Sequence, residues 1–142
     1  MTRQIEKRLL NEFLLERYRE KPQWKNVRLG PFPDNETAKE FGVIRRWADA
    51  IIKVGGELII IEAKFSPEFG GLGQLDAYSE LLSRTPEFQE FKGFPVRLIY
   101  LTTREDADVS VAATGKGIEY IVFRPDWVDA EEKRRKRVPP LK

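Results

Sequence analysis

Three ionisable residues, Asp49, Glu62 and Lys64, fall in or at the end of apolar strand-like runs. Leu58-Ile59-Ile60-Ile61 runs straight into Glu62-Ala63-Lys64. Ending a buried strand on ionisable groups costs free energy unless each finds a partner. Residues 45–54 form a second apolar run. Gly55-Gly56 between the two runs signals a two-residue hairpin turn, which needs φ > 0 at both positions. Such a turn sets Val54 opposite Glu57, Ile51 opposite Ile60 and Asp49 opposite Glu62, with Lys64 on the same face two residues on. Opposed carboxylates with Cβ atoms roughly 5 Å apart repel one another. A bridging divalent cation removes that repulsion and a neighbouring lysine reduces it, so the chemistry suited to this trio is metal-assisted.

Composition narrows the choice further. The 142 residues contain no cysteine and no histidine. Thiolate metal sites, cysteine nucleophiles and histidine general bases are therefore excluded, and any metal must be held by oxygen, which points to Mg²⁺ or Mn²⁺. Two more places draw attention. On the helical wheel of residues 3–20, Glu6 falls in the middle of the apolar stripe made by Ile5, Leu9, Leu10, Phe13 and Leu14, where an acid is out of place. Gln74 and Tyr78, four apart, share a helix face with Leu75, Leu81 and Leu82, and a buried Gln needs partners for its amide.

The elements that must position these residues follow from periodicity and turn chemistry. A helix over 3–20 precedes Pro22, and a short strand spans Trp24 to Leu29. Residues 30–42, rich in Pro, Gly and acids, form a loop with a turn of helix over 35–41. The hairpin (45–54 and 57–65) is followed by a loop over 66–73, whose Gly70-Gly71-Leu72-Gly73 is a flexible lid, and by a helix over 74–84. A buried strand covers 94–103. A short helix capped by Asp106 or Asp108 runs to Thr114, with Gly115 at its end, and a last strand covers 118–123. The order α-β-β-β-α-β-α-β predicts an α/β fold with a central mixed sheet flanked by helices, its final β-α-β a right-handed crossover. One domain spans 1–130, and 131–142 is a basic tail with six Lys and Arg against two glutamates. Of the three tryptophans, Trp24, Trp47 and Trp127, packing is expected for at least two, and stacking on bases is the alternative.

Taken together, Asp49, then Glu62-Ala63-Lys64, then Gln74-Leu75-Asp76-Ala77-Tyr78 opening a helix resembles the PD-(D/E)XK nuclease superfamily. The QxxxY element is similar to that of its RecB-like branch. The glutamate-bearing first helix followed by the hairpin resembles stand-alone Holliday-junction resolvases. Ala48 stands where many members have proline, and the histidine motif and cysteine cluster of many RecB-like members are missing. The resemblance covers roughly residues 3–123 and implies a restriction-endonuclease-like fold and a Mg²⁺- or Mn²⁺-dependent DNA nuclease. Asp49, Glu62 and the backbone carbonyl of Ala63 would hold the metal, with Glu6 as a further ligand, directly or through water. Lys64 would orient or deprotonate the attacking water, Gln74 would position it or a phosphate, and Tyr78 would support Gln74. Arg45, Arg46 and Lys53 are candidate DNA contacts beside it.

DNA is the implied partner, with a homodimer if the substrate is a junction. The alternative is a nuclease-fold binding or structural module of a replication, recombination or viral assembly. With no apolar run of membrane-spanning length, the expected location is the cytoplasm or a viral or host-cell DNA-processing complex.

Overall fold

The computed structural model describes residues 2–31 and 46–136, and the loop expected over 30–42 lies mostly outside them. Helix α1 (Thr2–Arg17) leads into strand β1 (Gln23–Leu29), then β2 (Arg46–Val54) and β3 (Glu57–Ala63). Helix α2 (Gly70–Leu82) and a 3₁₀ turn (Pro86–Phe91) precede β4 (Val96–Thr102). Helix α3 (Ala107–Gly115), β5 (Ile118–Val122) and helix α4 (Trp127–Lys136) complete the order. The sheet runs β1-β2-β3-β4-β5, antiparallel across its first three strands and parallel across the last three. This is the mixed, helix-flanked α/β sheet that the sequence predicts.

Both faces of the sheet are buried, which explains why β3 and β4 read as continuous apolar runs rather than alternating ones. One face carries Ile51, Leu58, Ile60 and Tyr100 under Leu72, Leu75 and Tyr78 of α2 and Val109 of α3. The other carries Ala50, Ile52, Ile59, Ile61, Ile99 and Leu101 under Leu9, Leu10, Phe13 and Leu14 of α1. The hairpin register is as predicted from Val54–Glu57 to Ala50–Ile61. The turn differs in one respect: Gly55 alone has positive φ, 59°.

Two expectations are corrected. Helix α2 begins at Gly70, so Gly70-Gly71-Leu72-Gly73 is its first turn and not a lid. The reason is packing: Gly71 lies so close to the Tyr100 ring that a Cβ there would overlap it. Residues 131–136 are not a free tail but belong to α4, seated by Val128, which is fully buried. Its first residue, Trp127, stacks on Phe65 and donates its indole N–H to Glu12, while the Arg8 guanidinium lies 4.4 Å above the indole. The 3₁₀ turn also went unforeseen; its Phe88 and Phe91 pack edge-on against Trp24. Asp106 caps α3 as expected, accepting from the Val109 N–H. Among the described residues no helix is long and apolar enough to cross a membrane.

Candidate active site

The end of β3 is held by three elements at three successive amides. The Ala63 N–H donates to Asp49 Oδ2 at 2.8 Å, the Lys64 N–H to the Leu101 carbonyl at 2.9 Å, and the Phe65 N–H to Glu6 Oε2 at 3.0 Å. The Phe65 carbonyl accepts in turn from the hydroxyls of Thr102 and Thr103. Glu6 therefore sits mid-stripe on α1 because it reaches around the sheet end to a backbone donor, and the fold brings it to the same place as Asp49, Glu62 and Lys64. The antiparallel ladder itself stops at Ala50–Ile61, one step short of the expected Asp49–Glu62 pair. Asp49 instead turns its carboxylate to the Ala63 amide.

The electrostatics follow from burial. Glu62 is 4% exposed, and its Oε1 has no hydrogen-bond partner. Burial first, then the Asp49 charge, pushes its carboxyl up to about 8, against the pull of Lys64. Asp49 is also raised, by burial, against the opposing pull of the Ala63 amide, Glu62 and Lys64. Glu6 is raised by burial too, against its bond from Phe65. Lys64 Nζ lies 3.6 Å from Glu62 Oε2 and 3.5 Å from Glu68 Oε1. Burial alone would lower its pKa, but Glu62, Glu6 and Glu68 together raise it. Lys64 is therefore an ammonium at neutral pH.

One lysine faces Glu6, Asp49, Glu62 and Glu68, so these acids ionise together only with further positive charge, and a buried carboxyl oxygen of Glu62 is left unpartnered. Oxygen donors in that state fit a hard divalent cation. Among the described residues no three acidic side chains converge as a ligand set. The candidate ligands in this geometry are therefore the carboxyl groups of Asp49 and Glu62, a set of the size Mg²⁺ takes while keeping several waters. Glu6, engaged with the Phe65 amide, stands beside that set.

Other predicted residues divide. Gln74 lies on α2 with its Oε1 buried and unpartnered, so its side-chain carbonyl, like Glu62 Oε1, lacks a donor among the described residues. Tyr78, 3% exposed, packs in the α2 core. Lys53 faces Leu58 at the turn end of the hairpin, roughly 13 Å along the strand from Asp49, and is not brought to the cluster. Arg45 and the side chain of Arg46 lie outside the described residues. Sequence reasoning missed Glu68 and Tyr100. The Tyr100 hydroxyl accepts from the Glu68 N–H and donates to the Glu68 carbonyl, pinning the residue that pairs with Lys64. A tyrosine inside the apolar Leu98-Ile99-Tyr100-Leu101 was the available signal, since a buried hydroxyl needs a partner. Glu12, also on α1, accepts from the Trp127 indole N–H.

No family model matches the sequence, and neither does any curated protein. Among solved structures, a repair endonuclease from Pyrococcus abyssi superposes with TM-score 0.53 over 83% of this chain at 12% identity. The match takes in only 46% of that endonuclease's length. A protein of unknown function gives TM-score 0.48 at 19% identity, over 95% of this chain and 68% of its own, too loose a superposition to bear on the site. The chain thus shares its fold with a repair endonuclease, and the acid–lysine cluster lies at one end of that fold's central strand.

Proposed function

We propose that the chain is a divalent-cation-dependent nuclease that hydrolyses phosphodiester bonds in DNA, of the PD-(D/E)XK type its motifs resemble. The observation that carries this reading is the buried, unpartnered Oε1 of Glu62, set beside Asp49 and within 3.6 Å of the Lys64 ammonium on its other oxygen. A purely structural strand end has no use for an orphaned carboxylate oxygen, whose desolvation is costly. The endonuclease-like fold supports the same reading.

Asp49, Glu62 and the Ala63 carbonyl would hold Mg²⁺ or Mn²⁺, which when bound supplies Lewis-acid charge to a phosphoryl oxygen and makes water acidic enough to attack. In the reaction a water oxygen bonds to phosphorus, the ester P–O bond breaks, and the proton lost by the water balances the one gained by the leaving oxygen. Lys64, held as an ammonium, orients the water and steadies the negative charge that grows on the phosphoryl oxygens; it does not take the proton. Glu68, pinned by Tyr100, keeps the ammonium in place. Gln74, with an unused amide oxygen, orients the attacking water. Glu6 fixes the strand segment that carries Lys64.

The test is cleavage of a panel of supercoiled plasmid, linear duplex, single strand and four-way junction with Mg²⁺, Mn²⁺ or chelator. Wild type should cut at least one substrate only with metal. Lys64→Ala and Glu62→Gln should each lose about 10²–10³ in rate, the scale for removing a transition-state charge partner. Cutting that persists undiminished in both variants would sink the assignment. Metal-independent inertness of wild type toward every substrate would leave a binding module in its place.

A further inference from the structure

The β1–β2 ladder lacks one pair beside the acid cluster, with its register unchanged on either side. Lys25 pairs with Ala50 and Val27 with Ala48, yet the Asn26–Asp49 pair between them is missing from the ladder. Asn26 has φ of 53° and is the only non-glycine residue with positive φ among the described residues. Left-handed backbone in mid-strand is held only where its surroundings over-determine it, and such sites cluster near function. Its consequence is visible in both strands. Trp24 and Val27, three apart, pack against the same core, as do Ala48 and Ile51, whereas a regular strand alternates.

Beside that missing pair two consecutive residues, Lys25 and Asn26, line one cavity of about 260 Å³ between α1 and β1. Arg3 and Lys7 line it from α1, and Glu6 and Asp49 line it where it adjoins the acid cluster. Among the described residues Lys7, Lys25 and Asn26 make no side-chain hydrogen bond or ion pair, and Arg3 acts on Asp49 only through its charge. Each of the two acids gives one oxygen to a backbone amide, Glu6 to Phe65 and Asp49 to Ala63. Three cations drawn from two elements thus outnumber the two acids around a preformed space, an arrangement suited to an anion with several acceptor oxygens.

We infer that this cavity is a subsite for one phosphate of the DNA strand, next to the bond that is cut. Arg3, Lys7 and Lys25 bind its oxygens, and the Asn26 amide donates alongside. Asn26 has a second role: its left-handed backbone is what sets Lys25 and itself on the same cavity. The inference rests on the nuclease reading above and adds to it the path of the strand, which leaves the metal-binding acids toward α1 and β1 rather than toward α2.

The experiment measures binding separately from cutting. Fluorescence anisotropy with a short 5′-labelled oligonucleotide, single-stranded and duplex, in chelator and across a salt series gives Kd and its salt slope. The double variant Lys7→Gln/Lys25→Gln should bind at least about tenfold more weakly and lose about two from the slope of log Kd against log salt. Lys92→Gln, at the far side of the sheet, should change neither. Asn26→Gly keeps the backbone accessible but removes the amide and should cost about two- to tenfold.

Thermal melting confirms that each variant is folded. An unchanged Kd and slope in the double variant overturns the subsite, and so does wild type that binds neither oligonucleotide. Full displacement of the strand by an equal concentration of thymidine monophosphate also overturns it, reassigning the cavity to free nucleotides. If wild type cuts nothing but its DNA binding still depends on Lys7 and Lys25, the subsite stands and the cleavage reading falls. If Lys64→Ala abolishes cutting while the double variant binds normally, the subsite alone falls.

Discussion

Burying Glu62 beside Asp49 makes a proton part of the folded state. In the unfolded chain this carboxyl ionises near 4.5, but in the fold it holds its proton up to about 8. Between those values the folded state binds more protons than the unfolded one, so stability falls as pH rises. The contribution is fully present below about 4.5 and gone once pH has passed about 8, and a shift of that size is worth on the order of a few kcal/mol. Asp49 and Glu6, both raised by burial, act with the same sign. The metal-free protein should therefore melt at progressively lower temperature from pH 5 to pH 9. Glu62→Gln, which cannot ionise, should flatten most of that slope and melt above wild type at the alkaline end. Calorimetry in chelator decides it: a wild-type melting temperature that is level or rising across the range would show that Glu62 is not held protonated.

At the scale of elements, the first turn of α2 tests how closely the helix must approach the sheet. A Cβ on Gly71 would overlap the Tyr100 ring and come within 3.5 Å of Lys64 Cγ. That ring cannot swing away cheaply, because its hydroxyl is bonded twice to Glu68 and its face stacks on Tyr120. Gly73, one residue past Leu72 on the same turn, has nothing within 4 Å of a Cβ. Gly71→Ala should destabilise by about 1–3 kcal/mol, the range for overpacking, and should loosen Glu68 and Lys64. Gly73→Ala should stabilise by about 0.5–1 kcal/mol, since alanine suits a helix and the unfolded chain loses freedom. Urea denaturation of the two variants measures both, and equal effects would mean that α2 does not make this close approach.

This turn also marks where sequence reading ran out. Strands β2 to β5 were legible because long apolar runs and the Gly55-Gly56 turn leave little choice, and the register down to Ala50–Ile61 followed from the turn length alone. The glycine-rich start of α2 was not legible, because helix propensity argues against it and only a partner 29 residues further on, Tyr100, requires it. Helix α4 was hidden for a related reason. Its run of Lys and Arg reads as a solvated tail, whereas what seats it is Trp127 against Phe65 and Glu12, contacts between residues far apart in sequence. Glu6 and Asp49 were visible as misplaced acids, but their bonds to the Phe65 and Ala63 amides were not. The left-handed backbone of Asn26 had only a weak signal, since asparagine tolerates that conformation but mostly does not adopt it.

For the whole molecule, the proposed cation site would link binding to folding through the same carboxyls. A ligand that binds only the folded state stabilises it by RT ln(1 + [L]/Kd), about 2.7 kcal/mol at a hundredfold excess over Kd. Carboxylates bind a cation only when deprotonated, so the proton on Glu62 competes directly with the metal. Mg²⁺ or Mn²⁺ should therefore raise the melting temperature little at pH 5 and progressively more toward pH 8, reversing the alkaline loss of stability seen in chelator. The increment should largely vanish in Asp49→Asn and in Glu62→Gln at every pH. It should survive in Lys64→Ala, where loss of the ammonium leaves the two carboxylates freer for the cation. Calcium, which accepts the same oxygen donors but tolerates looser geometry, should stabilise the fold as well. A metal-induced increment of equal size at pH 5 and pH 8, or one retained in both acid variants, would place the cation elsewhere on the surface. The pH-dependent pattern would tie the unpaired Glu62 oxygen, the low stability of the empty site at alkaline pH and the proposed chemistry to one set of atoms.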